Sequence, residues 1–311
     1  MDQGPDLRLV AVSEPATITL PCPPRILPGG RYQLSAGDVL ISAQISASHP
    51  LTIAWPGALP SIPGIPLRYV PAGPATKAFL LGQYEITQDL YDQFIHDKAQ
   101  FAAVQAAWRT SMLDAKGTTP LSFVPRGAPA GPEYWQATAH GDKNSELDTL
   151  DMPKAYTGLP VTGISRDDAT AYCAWLSTKT GLRVRLPSQA EWQFAATGGD
   201  ERRVYPWGDE FDVSLAVTAF VPGQKGTARD SAMKIGSATS DVGPFGHLDL
   251  AGNVREWLGN TGESAGIQHG LIAGGSWSDD RPEQFRTSAS ESVPPNYVGA
   301  SIGFRILVDL P

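Results

Sequence analysis

Glycine and proline punctuate this chain so densely that long regular elements have little room. Gly (32) and Pro (27) together fill about a fifth of its 311 positions, against roughly an eighth in an average protein. They show no G-X-Y period, which excludes a collagen. Proline removes a backbone donor and fixes φ, while glycine admits turns that other residues resist. A loop-rich globule with short regular elements is the expectation. Its 41% apolar and 18% charged residues suit a compact fold rather than a disordered tail.

The charge balance excludes some partners. With 24 Lys and Arg against 32 Asp and Glu, the net charge is −8, and no basic run interrupts it. Nucleic acid and anionic membranes both need a positive field, so neither is expected as a partner. No apolar run approaches the roughly 18 residues of a membrane helix, so no direct membrane insertion is expected. The start, Met1-Asp2-Gln3-Gly4-Pro5, has no basic and no apolar signal region. That fits a cytoplasmic protein, or an exported one whose signal is missing from the sequence. Cys22 and Cys173 are too few for a disulfide framework or a four-thiolate zinc site. Spacing leaves a bridge between them open.

Residues 1–66 read as a β-rich N-terminal segment ending in a linker. Leu7–Val12, Thr17–Leu20, Val39–Ile45 and Leu51–Trp55 are short β-type runs separated by Pro and Gly clusters. The Pro-rich stretch 56–66 reads as the linker. From Leu67 the pattern changes. Phe79–Ile86 is a strand candidate, and Thr87 opens a helix through Tyr91, Phe94 and Ile95. Ser165-Arg166-Asp167-Asp168 and Ser188-Gln189-Ala190-Glu191 are capping boxes. The first starts a helix with a buried stripe of Ala169, Tyr172, Cys173 and Leu176, stopped by Gly181. The second starts a helix through Trp192, Ala195 and Ala196 that ends at Gly198. The stretch 96–155 is irregular and polar, a long excursion of the kind that often carries function.

A series of blocks then stands out. It runs from Gly82-Gln83-Tyr84-Glu85-Ile86-Thr87 through Pro160–Ser165, Ala171–Trp175, Arg185–Ala196 and Tyr205-Pro206-Trp207-Gly208. It closes with Asp249-Leu250-Ala251-Gly252-Asn253-Val254-Arg255-Glu256-Trp257, Gly274-Gly275-Ser276-Trp277 and Ile302-Gly303-Phe304-Arg305. In kind, order and spacing this resembles the formylglycine-generating-enzyme family of sulfatase-modifying factors over roughly 67–311. The resemblance implies a loop-rich α+β domain, a variant of the C-type lectin fold, preceded here by the small β-rich segment. Trp192, Trp207, Trp257 and Trp277 lie inside the shared blocks and read as core. Arg305 reads as a buried partner for a carboxylate.

The family's oxidation of a sulfatase cysteine uses two enzyme cysteines, which bind copper between the Gly-Gly-Ser and Gly-Phe-Arg blocks. No cysteine stands between Ser276 and Arg305. Counting back from Arg305 puts Thr287 at the second position and the first near Pro282–Gln284. Soft Cu(I) wants thiolates, so copper and the family's oxidation are not expected. A second catalytic branch holds iron with a His-x-x-x-His pair. His49, His96, His140, His247 and His269 include no such pair, so iron is not expected either.

The block Asp249-x-x-Gly252-Asn253-Val254-x-Glu256 has a chemistry of its own. Ca²⁺ takes six to eight hard oxygens, and Gly252 allows a turn sharp enough for carbonyls to converge. Spacing alone also fits a tight turn in which Glu256 pairs with an arginine. The resemblance implies one structural Ca²⁺, held by Asp249, the carbonyls of Gly252 and Val254, and Glu256. A second family site would begin near Ala216 and is not expected.

Two functions stay open. The first is a non-catalytic binding regulator. Among members lacking the cysteines, the chain resembles the exported accessory proteins that act upstream of the threonine-kinase pathway switching on type VI secretion. That implies a periplasmic location and a periplasmic or membrane-anchored partner in the kinase-activating system. The docking surface would combine Trp108, Tyr134 and Trp135 of the excursion with Asp279, Arg286 and Glu291 of the 278–298 loop. The same aromatics could instead pin the excursion to the core, and the charged residues could simply be solvated. The second function is a periplasmic oxidative maturation enzyme of the pyoverdine type, with Glu291 or Asp279 as acid or base. A calcium-dependent, lectin-like ligand binder is a third class.

Overall fold

The computed structural model describes residues 16–20, 31–36, 39–44, 51–55, 59–95, 97, 157–220, 229, 231–264, 267–294, 297 and 299–311. The 7–12 run, Cys22, nearly all of the 96–155 excursion, and with it Trp108, Tyr134 and Trp135, lie outside the described residues.

Short strands dominate. A six-stranded sheet has the order β2 (Arg31–Ala36), β3 (Val39–Gln44), β5 (Leu67–Val70), β6 (Phe79–Gly82), β12 (Leu307–Asp309), β7 (Val184–Arg185). All its pairings are antiparallel except β3–β5, which meet at Leu40 and Arg68. A four-stranded sheet has the order β10 (Ser290–Val293), β9 (Ile267–Ala273), β8 (Arg255–Ser264), β11 (Ile302–Gly303). A separate pair joins β1 (Ala16–Leu20) to β4 (Leu51–Trp55). The β-type runs at 17–20 and 51–55 are therefore strands, as is the expected run from Val39 over its described residues, 39–44. Strand β2 was not among the expected runs, although Tyr32, Leu34 and Ala36 alternate with Arg31, Gln33 and Ser35 at the period of a strand. Ile62 and Ile65 of the expected linker are buried in the main core, closed on themselves by a short bridge. Four prolines leave that stretch few ladder bonds, yet its two isoleucines still gain by leaving water.

Three helices are described: α1 (Gln88–Ile95), α2 (Arg166–Thr180) and α3 (Gln189–Thr197). Ser165 and Ser188 cap α2 and α3 with reciprocal capping boxes, and Gly181 and Gly198 end them in the left-handed conformation. The expected stripe of Ala169, Tyr172, Cys173 and Leu176 is buried. Tyr172 stacks on Tyr91 of α1 at 5.6 Å and meets Phe304 edge-on at 5.4 Å. Cys173 is a free, buried thiol, and burial pushes its pKa up, so it is an inert core residue. Trp192 and Trp257 are fully buried, as expected. Trp207 and Trp277 are only half-buried, because both sit on turns at the edge of the core rather than on α3 or β8.

Arg185 ties α3 to the sheet. It donates to Glu191 at 2.7 and 2.8 Å and to Asp309 at 2.7 Å. Burial opposes the charge on Glu191, but the bonds from Arg185 and Ser188 outweigh it and hold its pKa at about 2. That value lies below the unfolded one. The stability it contributes is complete above pH 4.5 and is lost as pH falls toward about 2. Glu191→Gln should cost about 1–2 kcal/mol at pH 7, discounted for the partly exposed Arg185. Urea melts at pH 7 and pH 3 check this: the gap between wild type and variant should narrow at the lower pH. A gap of equal size at both would assign the loss to the cap alone.

Candidate functional site

The loop from Asp241 to Val254 leads into β8 and gathers buried charge. Asp249 and Asn253 have positive φ (57° and 58°), a conformation uncommon outside glycine. Asn253 is held there by 2.8–2.9 Å backbone bonds with Val217 and Trp277, and its side chain bonds Met233 N at 2.9 Å and Glu85 at 3.2 Å. Gly252 has φ 117°, and a Cβ there would lie 2.6 Å from the Val217 carbonyl oxygen. Only glycine fits.

Arg305 reaches the centre of this region with no solvent exposure. Its Nε donates to both oxygens of Glu256 at 2.8 and 2.7 Å, and Nη2 donates to Oε1 at 2.5 Å. Its remaining N–H groups donate to the carbonyls of Gly82, Gln83, Leu248 and Asp249 at 3.0–3.2 Å. Trp192 Nε1 completes the Glu256 shell at 2.8 Å. Arg305 is thus the buried carboxylate partner that the sequence suggested.

The calcium ligand set meets the same geometry. Asp249 and Glu256 lie close enough for their charges to interact, but Glu256 is already bound by Arg305 and Trp192. A cation on Glu256 would share it with that guanidinium. Glu85 and Asp241 join the cluster, so four buried carboxylates face one central guanidinium. One oxygen of Glu85 and one of Asp241 have no hydrogen-bond partner. Burial raises the pKa of Glu85 and Asp241, and it lifts Asp249 to about 6 against the amide bond from Gly236. These oxygens are hard donors of the kind Ca²⁺ takes, but among the described residues no group of three or more His, Cys, Asp or Glu side chains is placed to hold a metal ion.

The second assembly is a cleft of about 480 Å³ between β8–β10 and a 3₁₀ turn, Pro282–Phe285. Asp279, 6% exposed, does not line the cleft but bonds two residues that do, Arg255 and Gln284. It accepts from Arg255 Nε at 2.8 Å and Nη2 at 2.5 Å, from Ser276 Oγ at 2.7 Å and from Gln284 Nε2 at 2.6 Å. Arg255 Nη1 also donates to Glu291 on β10. Burial disfavours the Arg255 charge, but Asp279 and Glu291 more than reverse this and raise its pKa. Of the expected surface residues, Asp279 and Glu291 are therefore joined through one arginine. Arg286 is exposed and does not line the cleft. Thr287 is turned away from it: its hydroxyl donates to the Arg203 carbonyl at 2.8 Å, and its N–H donates to Val204 O at 2.9 Å. Arg255, Ser276 and Gln284 were missed from sequence. Arg255 stands inside a recognised block, but nothing local says that it crosses to Asp279, 24 residues on. These cleft residues offer no thiolate, so they do not fit Cu(I).

The family model for a sulfatase-modifying factor enzyme 1-like domain matches residues 68–310. Among similar proteins, the inactive Cα-formylglycine-generating enzyme 2 of Mus musculus is 28% identical over 251 residues, covering 75% of this chain and 77% of that one. The formylglycine-generating enzyme of Streptomyces coelicolor is 31% identical over 181 residues, covering 48% and 52%. Serine/threonine-protein kinase Pkn1 of Chlamydia trachomatis is 27% identical over 178 residues, covering 52% of this chain and 26% of the kinase. With its blocks in the family's order and its model match spanning both the buried cluster and the cleft, the chain belongs to the sulfatase-modifying factor family and has that family's loop-rich α+β fold.

Proposed function

We propose that this protein is a non-catalytic member of its family that acts by binding another protein. The hydrogen-bonded group on Asp279 beside the cleft carries this reading. Where copper chemistry needs two thiolates, Asp279 accepts from Arg255, Ser276 and Gln284, and no cysteine stands between Ser276 and Arg305. The likeness to mouse and bovine relatives named inactive supports it. Incubated with copper, oxygen and a sulfatase-type cysteine peptide, the protein should leave the peptide mass unchanged. Turnover above an enzyme-free blank would falsify the reading.

The partner in this proposal is a periplasmic or membrane-anchored component of the threonine-kinase pathway that activates type VI secretion. The likeness to part of a serine/threonine kinase supports a link between this module and kinase signalling. Cells lacking the protein should show reduced threonine phosphorylation by that kinase, restored by the wild-type gene. Unchanged phosphorylation would remove the protein from the pathway. The proposal also includes one structural Ca²⁺ on Asp249, the carbonyls of Gly252 and Val254, and Glu256. It is supported by the surplus of buried carboxylates over guanidinium around Asp249.

A further inference from the structure

The turn over Asp280–Gln284 separates two concavities. Arg281, Glu283 and Gln284 line the cleft, while Asp280 and Pro282 line a larger depression of about 830 Å³. The apolar surface of that depression comes from Trp207, Phe211, Leu215 and Phe220. It is anchored from below. Trp207 stacks on Tyr205 at 5.5 Å and 8°, Phe211 lies 5.4 Å from Phe285, and Tyr205 and Phe285 are buried. Trp207 Nε1 donates to the Glu210 carbonyl at 2.9 Å, which fixes the ring over its own turn. Phe220, by contrast, is 50% exposed, the most open of the large apolar side chains among the described residues.

Around these rings stand Asp209, Glu210, Asp212 and Asp280, all exposed. Among the described residues none of the four forms a salt bridge. Asp212 accepts from Ser214 N and Oγ at 2.8 and 2.7 Å. The Arg202 charge is felt at Asp209, but that arginine is paired with Asp200 at 3.0 Å. Ring faces are negative at their centres, and so is the rim. Both repel an anion, and both attract a cation carried on an apolar stem. Four uncompensated carboxylates also make a purely apolar partner unfavourable, because covering them would strip their water without replacing it.

We propose that this depression docks an extended, arginine- or lysine-bearing segment of a partner protein. The cationic head groups lie over Trp207, Phe211 and Phe220, within reach of Asp209, Glu210, Asp212 and Asp280. The surface is separate from the cleft, so a failure here leaves the cysteine-peptide and phosphorylation tests untouched.

The test is calorimetric titration of the full chain with acetylated tetra-arginine amide, with tetraglutamate as the control. Saturable binding of the cationic peptide alone is expected, weakening as salt screens the rim. Phe220→Ser should weaken it about three- to fivefold through loss of a cation–π face. Asp280→Asn should weaken it about two- to threefold. Asp167→Asn removes the same charge from an exposed site on α2, outside the depression, and should leave affinity unchanged. No saturation below about 1 mM, the affinity of a weak but specific contact, would overturn the proposal. So would an Asp167→Asn effect equal to that of Asp280→Asn, or an unaltered Phe220→Ser, since either would reduce the binding to the general acidity of the chain.

Discussion

Arg305→Ala is expected to be the most damaging single substitution in this protein, costing about 3–5 kcal/mol. That is a large share of the 5–15 kcal/mol that holds an ordinary domain together. Arg305 and Glu256 are both fully buried and share three hydrogen bonds. Burial disfavours the charge on the guanidinium, but Glu256 first, then Glu85 and Asp249, reverse this and raise its pKa. Without Arg305, Glu256 keeps only the Trp192 bond, and the surplus of buried negative charge grows by one. Four carbonyls on two loops lose their donor as well. Glu256→Gln is expected to cost less, because the amide oxygen still accepts from Arg305 while its NH₂ faces the Trp192 N–H. Arg305→Lys should recover little, since one ammonium cannot span Glu256 and four carbonyls at once. Urea denaturation of the three variants checks the order. A mild Arg305→Ala, under about 1 kcal/mol, would mean that water enters the cluster and solvates it.

EDTA is expected to lower the melting temperature by about 5–10 °C if the proposed Ca²⁺ occupies the Asp249 cluster. Ligand at a hundred times its dissociation constant stabilises by about 2.7 kcal/mol, and a domain of this size shifts by a few degrees per kcal/mol. Asp249→Ala is the informative variant, because Glu256 doubles as the partner of Arg305 and its loss would confuse two effects. The variant should melt lower than wild type and ignore EDTA. If chelation leaves the wild type unmoved, protons rather than calcium neutralise the cluster. Asp249 is then a carboxyl whose folded pKa, about 6, lies above its ordinary 3.8. Its stability contribution is complete at acid pH and is lost as pH rises through that window. The two outcomes leave opposite signatures in melts at pH 5 and pH 7.5, so one data set decides between them.

Much of the fold was legible because it is written in short-range pattern. The boxes at Ser165 and Ser188, and the glycines at 181 and 198, mark the ends of two helices through bonds that span three or four residues. The stripe from Ala169 to Leu176 buries one face of α2 for the same local reason. The missing cysteines could be read with no structure at all. The N-terminal segment was less legible. Strand β2 alternates Tyr32, Leu34 and Ala36 with polar residues over only six positions, and its place in the sheet is set by β3, which pairs with it and then with β5. Ile62 and Ile65 lay hidden among prolines that look like a linker.

What the sequence by itself determined is the set of local commitments: helix ends, the turn at Gly252, the order of the family blocks, the acidic balance and the absence of thiolates near the cleft. Each depends on neighbours a few residues apart, or on composition. What only the tertiary structure decided is who meets whom. Glu256 meets Arg305 across 49 residues, and Asn253 meets Glu85 across 168. Arg255 crosses to Asp279, and Trp207 is left at a surface instead of in the core. No local pattern encodes those pairings. A charged side chain is stable in the interior only where a distant segment brings its counter-charge, and that meeting exists only once the sheets and loops have packed.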